Sequence, residues 1–289
     1  MKKVLLTTSA LTLLAGAAAA QVSVGGDARM GISSTGGTTT VDYRYRIKFN
    51  ASGETDGGLT FGAASGIRID DTDVTAFTSP VTAGSSLIWA PRVWVGTGAF
   101  TLNVGNAAGA IESTSGIWGS PTVGYTGMGF GGVLFMTNQS STTNGMGTNA
   151  VALTFALGNA NVALSTGIAG ARNTEAAVSF SLGNANVGIG YDTGAGATGG
   201  TYLTAGFDAG GAKIAVAYVS PNTGTASWSL GATMEVGAGS IKGYVANKAG
   251  TSNFGIGYSQ GLGGGASASV GVESIGGTVT TEAGLGFKF

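Results

Sequence analysis

Asp42-Tyr43-Arg44-Tyr45-Arg46-Ile47-Lys48-Phe49-Asn50 decides how this chain folds. Tyr43, Tyr45, Ile47 and Phe49 take every second position; Asp42, Arg44, Arg46, Lys48 and Asn50 take the positions between. Successive side chains of an extended strand point to opposite faces, so the segment has one oily face and one strongly charged face. A helix would scatter both sets around its circumference.

The same split recurs outward along the chain. Val22, Val24, Ala28, Met30 and Ile32 oppose Ser23, Asp27 and Arg29. Trp228, Leu230, Ala232, Met234 and Val236 oppose Ser229, Thr233 and Glu235, and Ala283, Leu285, Phe287 and Phe289 oppose Glu282 and Lys288. A soluble β-sandwich also alternates, but it dresses its outward face with charge. Here charged residues are 9% of the chain, against roughly 25% in an ordinary soluble domain. Many polar-face positions are Gly, Ala, Ser or Thr, which suits a curved inner wall, and the long repeated apolar face suits lipid. These features predict an all-β, transmembrane, antiparallel up-and-down β-barrel.

Glycine reinforces the reading. The chain has 55 glycines in 289 residues, far above the usual share of about 7%, without a triplet period and with only four prolines. Collagen and a Pro-rich disordered chain are therefore excluded. The chain has no cysteine and no histidine, so disulfides, thiolate metal sites and the usual general base are all missing. Nothing marks a catalytic site, and an enzyme using a His-assisted serine is impossible. A formal net charge of −1 gives no reason to expect nucleic acid as a partner.

Residues 1–20 read as an export signal. Lys2 and Lys3 form a positive start, Val4 to Gly16 an apolar stretch, and Ala18, Ala19 and Ala20 a small-residue cleavage site before Gln21. The barrel domain is then 21–289. Losing Lys2 and Lys3 leaves 11 basic residues against 14 acidic ones, a mature net charge of −3.

Ala152-Leu153-Thr154-Phe155-Ala156-Leu157-Gly158-Asn159-Ala160-Asn161-Val162 recurs as Ala177-Val178-Ser179-Phe180-Ser181-Leu182-Gly183-Asn184-Ala185-Asn186-Val187. Each copy is strand, Gly-Asn turn, strand, the unit from which a closed meander is built. Counting alternating segments gives 18 strands, among them 122–126 and 132–138. Tight breaks at 96–99, 157–160, 183–185 and 208–211 would be periplasmic turns. Longer breaks at 33–41, 70–85, 106–121, 139–148 and 193–199 would be extracellular loops.

Specific residues then resemble a known family. Gly26-Asp27-Ala28-Arg29-Met30-Gly31-Ile32 is similar to the first strand of alphaproteobacterial, Rhodobacter-type general diffusion porins. So are Ser52-Gly53-Glu54-Thr55-Asp56-Gly57-Gly58-Leu59-Thr60-Phe61-Gly62-Ala63 and Gly98-Ala99-Phe100-Thr101-Leu102-Asn103-Val104-Gly105-Asn106. The resemblance covers residues 1–137 and returns at Phe287-Lys288-Phe289. It implies a homotrimer of 16-stranded barrels in the outer membrane of a Gram-negative bacterium, passing small hydrophilic solutes. It also implies a third loop, about 106–121 here, folded inward as a constriction, and Phe289 as the signal to the barrel-assembly machinery. The count of 18 exceeds the family's 16 by one hairpin, and the repeated hairpin would be the added pair.

Six basic residues precede residue 93: Arg29, Arg44, Arg46, Lys48, Arg68 and Arg92. Alternation turns them away from lipid, where a charge near the midplane would cost about 2–4 kcal/mol. They would form a positive constriction wall, faced from the third loop by its one acid, Glu112. That imbalance predicts a mild anion preference; the plainer reading is that Asp27, Asp42 and Asp70 simply neutralise the arginines. Asp70, Asp71 and Asp73 offer oxygen ligands for Ca²⁺, though a solvated acidic loop explains them as well and no complete site is spelled. No other cofactor is indicated. Gly194, Gly196 and Gly199 fit a nucleotide-loop pattern by chance, given so many glycines. Two rival functions remain: a sugar-specific channel guiding its substrate along Trp94, Trp118 and Tyr202, or a plugged structural barrel.

Overall fold

The computed structural model describes residues 21–70, 88–114, 121–128, 150–168, 173–194 and 199–289. They form sixteen strands and one short helix. In chain order these are β1 (Gln21–Thr35), β2 (Thr38–Glu54), β3 (Thr60–Asp70), β4 (Arg92–Gly96), β5 (Phe100–Gly105), α1 (Ala110–Thr114), β6 (Ala150–Leu157), β7 (Ala160–Gly167) and β8 (Thr174–Leu182). The second half continues with β9 (Ala185–Asp192), β10 (Gly200–Ala209), β11 (Ala212–Pro221), β12 (Ser227–Val236), β13 (Gly239–Lys248), β14 (Thr251–Gly263), β15 (Ala266–Ile275) and β16 (Thr278–Lys288).

Each strand pairs antiparallel with its sequence neighbours, and β1 pairs with β16, so the sheet closes and leaves no edge. At the seam Gly26 and Phe289 exchange backbone hydrogen bonds of 2.8 and 3.1 Å. The Phe289 ring stacks on Tyr45 with centroids 5.9 Å apart.

The strand number corrects the expected 18 to 16. The surplus was not the repeated hairpin, whose two copies are the ordinary pairs β6–β7 and β8–β9. It came from the connection between β5 and β6. Segment 122–126 alternates like a strand, yet Gly124 and Gly127 adopt φ of +71° and +83° and fold it into a turn closed by Val123 and Met128. The other surplus segment, 132–138, lies outside the described residues. The expected loop at 33–41 is also corrected: β1 and β2 run on to a turn at Gly36-Gly37, because threonines flanking a Gly-Gly pair extend the ladder.

In the repeated hairpins Gly158 and Gly183 sit at φ of +62° and +64°, which only glycine adopts without strain, and this fixes both registers. Connections 55–59, 97–99, 158–159, 183–184, 210–211, 237–238 and 264–265 lie at one end of the barrel, together with the start of β1 and the end of β16. The strand ends joined by the longer connections, 71–91, 106–149, 168–173, 193–199 and 222–226, all lie at the other.

Burial is inverted relative to a soluble protein. Val22, Ile32, Val41, Leu230, Phe254 and Ile256 are exposed, each between 44% and 69%. Glu175, Asp192 and Ser229 are 0% exposed. The parity of the alternation explains this: apolar positions point outward all round the cylinder, and polar and small positions point in.

Candidate pore constriction

Strands β1, β2 and β3 carry their charge on the inner face in a checkered register. Arg29 lies opposite Arg44, and Arg44 opposite Asp70; Asp27 lies opposite Arg46, and Arg46 opposite Arg68. Like charges directly opposed repel, so Arg29, Arg44 and Arg68 turn toward an acid one row away, while Arg46 bonds the acid directly opposite it. Arg29 forms a fork on Asp42, with Nε and Nη2 donating over 2.9 and 3.1 Å. Arg46 donates to Asp27 at 2.7 Å, and Arg68 to Asp70 at 2.7 Å. Arg44 stands 3.6 Å from Asp27, and Lys48 reaches the same carboxylate at 4.0 Å.

Asp27 therefore serves three cations. Among the ion-paired side chains of these strands Arg29, Arg44, Arg46, Lys48 and Arg68 outnumber Asp27, Asp42 and Asp70 by five to three, so the paired patch stays positive; the fourth acid, Glu54, stands at the far end of β2. The neutralisation expected from the acids is present but incomplete. Arg44 is the least well held, since its buried Nε has no hydrogen-bond partner.

Arg92 stands apart from the patch. It lies opposite Ala64, four residues along β3 from Arg68, or about 13 Å at strand spacing. Its guanidinium lies over the Trp94 ring, 5.2 Å from the centroid. The Trp94 indole fills the space left by Gly62, where a Cβ would sit 2.1 Å from Cζ2.

The two described pieces of the connection between β5 and β6 lie inward, on different parts of the wall. The first piece contains α1, which bears Glu112. Ala110 N–H donates to Ser165 Oγ at 2.8 Å and Ile111 N–H to Glu175 Oε2 at 3.0 Å, so β7 and β8 hold its backbone. Ile111 packs over Gly190 and joins Ala163, Ala177, Tyr202, Ala217 and Val219 in a buried cluster. Asp192 fastens the neighbouring connections, accepting from Asn173 Nδ2 at 2.8 Å and Gly194 N–H at 2.6 Å.

The second piece, 121–128, lies on β12–β16 and β1. Pro121 covers Gly231, Val123 covers Gly257, and the Tyr125 ring covers Gly31 and Gly284. A Cβ on Gly284 would fall 2.5 Å from Tyr125 Cγ, so the wall accepts this ring only where it has no side chain. Thr126 is gripped by Glu282, which accepts from its N–H at 2.9 Å and its hydroxyl at 2.6 Å. Between the seats of the two pieces, β2–β4 present Arg44, Arg46, Lys48, Arg68 and Arg92.

Sequence reasoning missed Glu175, Asp192, Thr126 and Glu282 as the groups that hold the loop. For the three acids the signal was parity, lone carboxylates at inward positions among Gly, Ala and Ser; Thr126, in a turn, carried none. Tyr202, expected on an aromatic slide, is 1% exposed and buried under α1, so it cannot touch a passing solute. Trp118, Asp71 and Asp73 lie outside the described residues, and Asp70 is paired with Arg68.

A closed sixteen-strand barrel with a charged inner wall and an inward-folded loop belongs to the porin class of β-barrels. The profile of the Gram-negative porin family matches residues 7–279, and the chain belongs to that family. Membership points to the outer membrane as its location. A porin of Fuscovulum blasticum is 31% identical over 132 residues, which take in 44% of this chain and 43% of the relative, so the match spans under half of the relative's length. An engineered triple mutant of Rhodopseudomonas blastica porin superposes with a TM-score of 0.77 at 22% identity, over 93% of this chain and all of that one. Another engineered variant of that porin gives 0.78 with the same identity and coverage. At that identity the likeness speaks to the fold.

Proposed function

We propose that the chain is a general diffusion porin: a membrane-spanning barrel whose water-filled lumen passes small hydrophilic solutes and ions without a reaction. The inverted burial carries this reading. An apolar exterior closed through 360° suits acyl chains, while a wall of ion pairs and small residues suits trapped water. The end with the tight turns and both strand termini would face the periplasm, and the end with the long connections the exterior.

The five-to-three excess of cations in the ion-paired patch of β1–β3, with Arg92 beyond it and Glu112 on the loop, supports a mild anion preference. Family resemblance supports a homotrimer, a cleaved leader at 1–20, and Phe289 as the contact for the assembly machinery. Calcium at Asp70, Asp71 and Asp73 stays a minor proposal, because Asp70 already serves Arg68.

Swelling of proteoliposomes in neutral sugars of increasing size tests the function. Rates should fall smoothly with size and show no preference among isomers. A single favoured sugar would instead establish the substrate-specific channel, and absence of swelling the plugged barrel.

A further inference from the structure

Arg29 and Glu282 hold the same loop residue from two sides. Arg29 Nη1 donates to the Thr126 carbonyl at 3.0 Å, while Glu282 accepts from the Thr126 N–H and Oγ1. The Arg29 guanidinium is thereby committed: Nε and Nη2 bind Asp42 and Nη1 binds the loop. Glu282 is 5% exposed. The neighbouring Tyr125 ring is seated on Gly31 and Gly284, which flank Arg29 and Glu282 on β1 and β16 and are paired across the seam. Donor, acceptor and ring seat thus converge on two residues of the loop, at the strands where the barrel closes.

We infer that Arg29 and Glu282 are positioning residues, a clamp on Thr126 that sets how far the inward loop stands from the wall and thereby sets the cross-section left to solutes. Arg29 is set apart by this from Arg44, Arg46 and Lys48, whose charges face the lumen and hold none of the loop's described residues. The inference rests on the channel reading for its consequence, but the clamp is a property of the loop and can be tested separately.

The two residues have opposite charge, and that makes the test sharp. If they act through the field, neutralising them shifts selectivity in opposite directions. If they act as a clamp, losing either one frees the same segment. Arg29→Lys keeps the charge and loses the fork; Glu282→Gln removes a charge; Thr126→Val removes the hydroxyl with no charge change and lies on the loop, outside the barrel strands. In planar bilayers all three should raise open-channel current noise severalfold and increase conductance in the same direction, with reversal potential unmoved in Arg29→Lys and Thr126→Val. The chain has no cysteine, so a nitroxide on Thr122→Cys reports the segment directly, and its spectrum should show greater mobility in each variant. Loosening of the label in a protein that gives no current steps would uphold the clamp and sink the channel reading. An immobile label with unchanged noise, or conductance changes that follow the sign of the charge, would overturn the clamp.

Discussion

Asp27 shows how a single side chain sets the field of this wall. It accepts from Arg46 and faces Arg44 and Lys48, so it offsets one charge among three. Replacing it with Asn frees that charge, and reversal potentials in a salt gradient should move further toward anions; movement toward cations would show that Asp27 does not face the lumen. Reversing Arg44 and Arg46 together to Glu does the opposite. At about 8 Å across water one unit charge is worth about 0.5 kcal/mol, and the double change alters the wall by four units. The permeability ratio should therefore swing severalfold toward cations in 0.1 M salt and much less in 1 M, where the screening length falls to about 3 Å. An unchanged reversal potential would remove both arginines from the path of ions. The charged positions were legible because alternation alone fixes the face. Their pairing was not, because the partner of each guanidinium depends on the register between strands and on one-row diagonal reach.

Strands were legible wherever the two-residue period was long, as in β2 and β12, and misleading where it was short. Segment 122–126 has the period of a strand but carries Gly124 and is followed by Gly127, whose positive φ turns it into a lumen-seated bend. Its seat was unreadable from sequence, because it depends on Gly31, Gly231, Gly257, Gly271 and Gly284 arriving together from five different strands. What the strands do energetically can be tested on β12. Leu230 points outward and Thr233 inward. Leu230→Arg should destabilise the folded barrel in vesicles by about 2–4 kcal/mol, read from urea unfolding, while Thr233→Arg should cost far less. Equal losses would mean that the outer face does not meet hydrocarbon.

For the molecule as a whole, closure is the controlling event. The seam between β1 and β16 joins residues far apart in sequence, so its pairing carries the largest loop-closure cost and is expected to form late. Phe289 finishes it with two backbone hydrogen bonds to Gly26 and a ring stacked on Tyr45. Deleting Phe289 should slow barrel formation in vesicles, measured as the approach to the heat-modifiable folded form; an unchanged rate would confine the residue to a recognition role. Barrel class was plain from the sequence because every strand repeats the same inside-out pattern. The strand number was not, because it hinged on one long connection whose described pieces sit against the inner wall.

Channel function depends on a wet passage through the closed cylinder. Single-channel recording of the purified protein in planar bilayers measures that directly. It should give discrete ohmic steps whose conductance rises in proportion to bulk salt; an insulating barrel, or a conductance that saturates at low salt, would contradict it.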